Sequence, residues 1–166
     1  MNDAVDVFLD QWGRERPDLD VSPMALIGRV QRLHRLLVRG LEEYFATQGL
    51  ELWEFDVLGT LRRSGAPFSL TPKELVRMTM VGSAAMTNRV DRLVKRGLVS
   101  REVDPENRRR TVVSLTPEGL ELVDEAVQGH VANEARLLEG LDEDDRARMV
   151  ELLRTLLLSL DDTLDE

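Results

Sequence analysis

Apolar residues recur at three- and four-residue spacing along most of this chain, which predicts a succession of amphipathic helices. Asn2 to Arg14 carries Val5, Phe8, Leu9 and Trp12 on one stripe. Arg16-Pro17-Asp18 ends it, because proline disfavours helix at the residue before it. Ser22-Pro23 restarts a helix as N-cap and first helical residue. The long helix that follows sets Leu26, Ile27, Val30, Leu33, Leu37, Leu41 and Tyr44 near a heptad spacing and stops at Gln48-Gly49. Such a stripe buries against other helices, within the subunit or across a dimer.

A third helix is expected from about Glu51 to Arg63, closed by Ser64-Gly65-Ala66-Pro67. Thr71-Pro72-Lys73-Glu74 reads as N-cap, proline at N1 and glutamate at N3, a capping box that opens a short helix to about Met78. Gly82-Ser83 opens the next, which runs to Arg96 with Gly97 at C′. Leu98 to Val103 and Arg110 to Leu115 alternate as strands around the loop at residues 104–109. Thr116-Pro117-Glu118 then starts a long helix to about Gly140. A final helix is capped by the acidic run Asp142 to Asp145, which suits the helix dipole. It carries Met149, Val150, Leu152, Leu153, Leu156, Leu157, Leu158 and Leu160, too apolar for a helix with a free face. With the N-terminal helices it reads as a dimer interface; the alternative is packing on its own subunit's core.

Two short helices, a strand, a basic loop, a second strand and a new helix start form the order of a winged helix-turn-helix. Leu75, Val76, Met86, Val90, Leu93 and Leu98 supply its buried side. The fold class is therefore mainly α with a small β-wing.

Charge sharpens this picture. The 166 residues are 42% hydrophobic and 32% charged, with a net charge of −9. Yet residues 71–110 hold ten Lys/Arg against five Asp/Glu, while the last 56 residues hold four against fifteen. An acidic protein that concentrates positive charge on a helix-turn-helix marks where phosphates dock. The absence of cysteine excludes disulfides, cysteine-bound zinc and thiol redox sensing. The acidic start is not a signal peptide, and no run approaches the roughly 18 apolar residues of a membrane span, so a cytoplasmic protein with no membrane partner is expected. No metal-spaced cluster, phosphate loop or nucleophile arrangement points to an enzyme, and no cofactor is implied.

A recognition helix needs small or polar residues in its first turns so that its backbone can enter a major groove. Ser83, Ala84, Ala85, Thr87 and Asn88 provide them. Ser83, Thr87 and Asn88 are candidates for base edges, since asparagine can bridge adenine N6 and N7. Arg108, Arg109 and Arg110 at a wing tip would repel one another in solvent but suit a minor groove or phosphates.

The run from EFDVLGTLRRSG through TNRVDRLVKRGLV to DPENRRRTVVSLTPEG resembles the multiple-antibiotic-resistance regulator (MarR) family. The resemblance spans nearly the whole chain. It implies a homodimer of winged helix-turn-helix lobes on a pseudo-palindromic operator in double-stranded DNA, acting as a repressor released by a small ligand. It divides residues 1–166, as one domain, into N-terminal dimerisation helices (1–49), the DNA-binding lobe (50–116) and C-terminal dimerisation helices (117–166). One departure is Asn107, where the family usually has Asp, which puts a supporting ion pair at the wing base in doubt.

The N-terminal helix is similar to that of the family's urate-responsive branch. That resemblance assigns ligand binding to Trp12, Asp56 (in EFDVL), Arg89 (in TNRVDRL) and Arg101 (in LVSREVDP). The chemistry is coherent: an indole stacks on a flat ring, and a guanidinium offers a planar fork to an anionic edge. Urate, a related purine, or another aromatic or carboxylate anion would fit. The plainer readings are a core anchor for Trp12, a phosphate contact for Arg89 and a structural ion pair between Asp56 and Arg101. Trp53 shares a helical face with Asp56 and either extends the pocket or closes the core. His34 and His130 read as partly buried packing residues, with pH sensing as the alternative.

Overall fold

The computed structural model describes residues 2–79, 83–104 and 110–163. In chain order it contains α1 (Ala4–Glu15), α2 (Ser22–Thr47), α3 (Leu52–Arg63), β1 (Ser69–Leu70), α4 (Pro72–Met78), α5 (Ser83–Lys95), β2 (Val99–Val103), β3 (Thr111–Leu115), α6 (Pro117–Leu137) and α7 (Glu143–Ser159). The chain divides into two compact units, Met1–Leu41 and Glu42–Glu166.

In the first unit, Asp3 caps α1 by accepting the Val5 and Asp6 N–H groups, and Asp6 returns the bond to the Asp3 N–H. The same two carboxylates hold Arg29 of α2 at 2.8 and 2.5 Å, tying the two helices together. Val5 is the buried member of the α1 stripe. It packs against Gly28, where an added Cβ would lie 3.2 Å from its side chain. Phe8 and Trp12 stay exposed on the rim of a groove of about 440 Å³, faced by Met24 and Ile27 of α2.

The second unit has a core of Phe45, Val57, Leu58, Leu61, Leu75, Met86, Leu93, Val113 and Val123. Phe45 stacks on Phe55 with centroids 4.2 Å apart, and the His130 ring lies 4.8 Å from Phe55. The Tyr44 hydroxyl donates to the Ala126 carbonyl at 2.7 Å. That approach needs Gly129, because a Cβ there would fall 2.4 Å from the hydroxyl. The sheet is antiparallel in the order β1-β3-β2, with Ser69 opposite Ser114 and Val99 opposite Leu115.

Turn chemistry fixes the joints of the lobe. Gly97 takes φ +71°, which lets the Gly97 and Leu98 N–H groups return to the carbonyls of Val94 and Leu93 and ends α5. Gly119 is required for a different reason: a Cβ would sit 2.0 Å from the Leu98 carbonyl oxygen. Thr116 caps α6 through the Gly119 N–H and donates its hydroxyl to the Gly97 carbonyl, so one threonine joins the α6 start to the α5 end.

Several expectations shift. β1 is additional: it is two residues long, too short for alternation to register, and it exists because β3 offers a free edge. Ser22 lies inside α2 rather than capping it; the Asp20 carboxylate accepts its N–H. The second wing strand starts at Thr111 and leaves Arg110 outside it. α6 stops at Leu137, short of Gly140. His34 is exposed rather than partly buried. Among the described residues α7 buries none, and Val150, Leu152, Leu157, Leu158 and Leu160 all face outward.

Candidate DNA interface and ligand site

Burial of Leu75 on α4 and of Met86, Val90 and Leu93 on α5 sets the rotation of α5 about its axis. The opposite face therefore carries Ala84, Ala85, Thr87 and Asn88, all exposed. Ser83 opens α5, though its side chain lies outside the described residues. α4 begins with the expected capping box: Thr71 Oγ1 accepts the Glu74 N–H, and Glu74 Oε2 accepts the Thr71 N–H at 2.7 Å. The Thr71 hydroxyl also donates to Glu74 Oε2 at 2.7 Å, and this bond, followed by the one from the Thr71 N–H, holds the Glu74 carboxyl below its ordinary range.

At the wing base the Asp104 N–H donates to the Arg110 carbonyl at 2.9 Å, closing the β2–β3 hairpin. The Arg110 guanidinium lies 3.8 Å from Glu74 and 4.0 Å from Asp104. The wing base thus has charge support that does not involve residue 107. Arg108, Arg109 and Asn107 lie outside the described residues.

The inner side of α5 faces α3 through three arginine–carboxylate pairs. Arg96 reaches Glu54 at 2.5 Å and the Gly49 carbonyl at 3.0 Å. Glu54 is only 2% exposed, and its carboxylate also accepts the Glu51 N–H. Arg92 reaches Glu51 at 2.5 Å. Arg89 stands 3.8 Å from Asp56. Trp53 lies among them: its indole N–H donates to Glu51 at 2.6 Å, and the guanidinium carbons of Arg92 and Arg89 are 4.5 and 5.5 Å from its ring.

The electrostatics differ along this row. The Trp53 N–H, and after it Arg92, hold the Glu51 carboxyl below its ordinary range. Burial pushes the Asp56 carboxyl upward, against the opposing pull of Arg89 and Arg63. Asp56 therefore holds its charge less readily than Glu51 does.

Of the four residues that the resemblance assigns to a ligand, Asp56 and Arg89 lie beside one another. Arg101 is not part of an Asp56 ion pair; it bonds Asp91 on α5 at 2.9 Å. Trp12 lies in the first unit, 44% exposed on its groove, which does not make it a core anchor. The arginine row was overlooked at the sequence level, although Arg89, Arg92 and Arg96 recur at helical spacing and Glu51 and Glu54 do likewise.

Among the described residues no group of His, Asp and Glu is placed to hold a metal ion, and no helix is long and apolar enough to cross a membrane.

Residues 48–110 match the model of the MarR family. The HTH-type transcriptional regulator PecS of Dickeya dadantii (strain 3937) is 38% identical over 146 residues, which is 88% of either chain. A mutant of Escherichia coli MarR complexed with operator DNA gives a TM-score of 0.73 at 26% identity, covering 88% of this chain and 97% of that one. Bordetella bronchiseptica BpsR, whose DNA binding is regulated by 6-hydroxynicotinic acid, gives a TM-score of 0.68 at 28% identity, covering 76% and 89%. With the winged lobe, the exposed first turns of α5 and these similarities in hand, the chain belongs to the MarR family and is a DNA-binding transcription regulator, not an enzyme.

Proposed function

We propose that this protein is a dimeric repressor that leaves its operator when a flat aromatic anion, urate or a close relative, engages Arg89. The observation that carries this reading is the position of Arg89. It projects from the helix that presents Thr87 and Asn88, yet stands beside a partly desolvated Asp56 on α3. In the DNA-bound form, Ser83, Ala84, Thr87 and Asn88 meet bases, Arg108, Arg109 and Arg110 meet phosphates or the minor groove, and Arg89 supports α5. An anion that takes Arg89 draws on the same helix. Release follows only if the ligand binds the DNA-incompetent arrangement more tightly.

Trp12 and Arg101 join Asp56 and Arg89 in this reading on the family resemblance. The aromatic acid that regulates BpsR belongs to the same chemical class as the ligand proposed here. Dimerisation accounts for the apolar side chains that α7 exposes and for the exposed stripe of α2 at Leu26, Ile27, Val30 and Leu33. Two lobes related by a dyad place half-site centres about one helical turn apart on one duplex face.

A second reading is a DNA-binding regulator without a purine switch, controlled by another ligand or by a protein partner. It draws on Trp53, because two guanidiniums over one indole already form a satisfied structural joint. A gel shift on the DNA upstream of the protein's own gene, with urate increasing at fixed pH and salt, separates the two. A discrete complex dissolved by urate supports the first reading; a complex indifferent to urate supports the second.

A further inference from the structure

Trp53 is held with unusual thoroughness for a half-buried side chain. Its N–H is committed to Glu51, Glu51 is held by Arg92, and the Arg92 guanidinium lies 4.5 Å from the indole ring. The ring plane is therefore fixed before any ligand arrives. Fixing an aromatic surface in advance removes the ordering cost that would otherwise weaken binding.

The two arginines beside Trp53 are not held alike. Arg92 has a short bond to Glu51 in addition to the ring. Arg89 is 5.5 Å from the ring and 3.8 Å from Asp56, beyond hydrogen-bond distance on that side. Arg89 is thus the guanidinium that an incoming anion can redirect. A planar heteroaromatic anion satisfies both groups at once: its face replaces the guanidinium on the indole, and its oxygen-rich edge takes the guanidinium fork. Asp56, three residues beyond Trp53 on α3 and so on the same helix face, is an acceptor for a ring N–H or O–H of that anion.

We infer that Trp53 is the stacking surface of the ligand site, so that a planar heteroaromatic anion with an N–H or O–H donor binds between Trp53, Asp56 and Arg89. This inference rests on the ligand-responsive reading above and adds to it the residue that recognises the ring. It also explains how a ligand on α3 reaches α5: the ligand replaces the contact between Trp53 and Arg89, while Arg92 and Arg96 keep their carboxylates.

The test uses the full chain labelled with 5-fluorotryptophan, which gives two fluorine resonances because the protein has two tryptophans. Trp53→Phe assigns them. Urate and 6-hydroxynicotinate are the probes, titrated in parallel with release of the upstream DNA. The expected result is a ring-current shift of the Trp53 resonance that saturates at the concentration releasing DNA. Trp53→Leu should then raise the releasing concentration about tenfold or more while Trp53→Phe stays within about threefold, because only phenylalanine keeps an aromatic face. Because Trp53 also bears Arg89 and Arg92, each variant's releasing concentration is referred to that variant's own ligand-free operator affinity, so that a merely structural loss cancels and only a change in ligand response remains. If DNA is released while the Trp53 resonance stays put, the inference is wrong and the ligand-responsive reading survives. If neither probe releases DNA or moves the resonance, that reading and the inference fall together.

Discussion

The Arg89 guanidinium on α5 stands 3.8 Å from the Asp56 carboxylate on α3, and among the described residues this is the loosest of the three pairs joining the two helices. Its neighbours, Arg92 with Glu51 and Arg96 with Glu54, close to 2.5 Å. The row is therefore tight at the C-terminal end of α5 and loose toward its N-terminal end. A helix fastened in this way can pivot at its free end without losing its anchor.

The loose pair has a proton linked to it. Burial raises the Asp56 carboxyl, and Arg89 restrains that rise. An anion that draws Arg89 away removes the restraint and brings its own negative charge beside Asp56, which outweighs the opposing bond from a ring donor, so Asp56 moves further up and takes up a proton. Ligand binding should then strengthen as pH falls through the region just above the ordinary carboxylate range. Isothermal calorimetry in two buffers of different ionisation enthalpy would show proton uptake in the parent and none in Asp56→Asn. The same raised value has a sign for folding: ionised Asp56 costs stability above its folded-state value, and the cost fades as pH drops through it. Asp56→Asn should accordingly be neutral to slightly stabilising at pH 7 in urea denaturation.

Arg110 offers a test of the interface itself. It stands outside β3, half exposed, with Glu74 and Asp104 near 4 Å. Pairs of this length at the surface contribute below about 1 kcal/mol, so Arg110→Gln should leave the fold intact. Binding should weaken about equally on operator and unrelated DNA, and the slope of log K against log salt should fall by about one. Asn88→Ala should behave oppositely, narrowing the gap between operator and unrelated DNA by about 1–3 kcal/mol with the salt slope unchanged. Filter binding across a salt series reads both.

Much of this architecture was legible in the sequence because its joints are chemical. Thr71 and Glu74, Gly97, Thr116 with Pro117, and Asp142 are caps whose residue types announce them, and each lies where expected. Asp56 and Arg89 were legible through resemblance, and they meet. β1 was not, since a two-residue strand has no period and is created by its partner. The bond from Arg101 to Asp91 was not, because it depends on the approach of β2 to α5 rather than on spacing along either element. Trp53 was legible as a face-mate of Asp56 that extends the pocket or closes the core, but its contacts with Arg89 and Arg92 were not, because they come from a helix over thirty residues away in sequence.

Gly119 shows what a residue can do without a side chain. A Cβ at this position would lie 2.0 Å from the Leu98 carbonyl oxygen and 2.9 Å from its carbon, both backbone atoms that cannot swing aside. Relief would require α6 to back away from the turn after α5, breaking the Thr116 bonds to Gly97 and Gly119. Gly119→Ala should therefore cost about 3 kcal/mol or more, at the upper end of overpacking effects. A fall in the urea midpoint with unchanged slope would confirm it. Gly13→Ala is the control, since nothing lies within 4 Å of its Cβ; it should be neutral or stabilising, as alanine favours helix.

The exposed leucines of α7 give the last prediction. Leu152 is 61% exposed, so a glutamate there costs a lone chain little, within about 0.5 kcal/mol. If α7 packs against a second copy, the same carboxylate is buried in an apolar interface without a partner, where charge is strongly disfavoured. Leu152→Glu should then raise the dimer dissociation constant by about a hundredfold, measured by sedimentation equilibrium, with the helical circular dichroism of the chain preserved. Operator affinity should fall with it, because two tethered lobes bind a palindrome far better than two separate ones. A variant that sediments as an unaltered dimer would remove α7 from the interface and leave its apolar face to another partner.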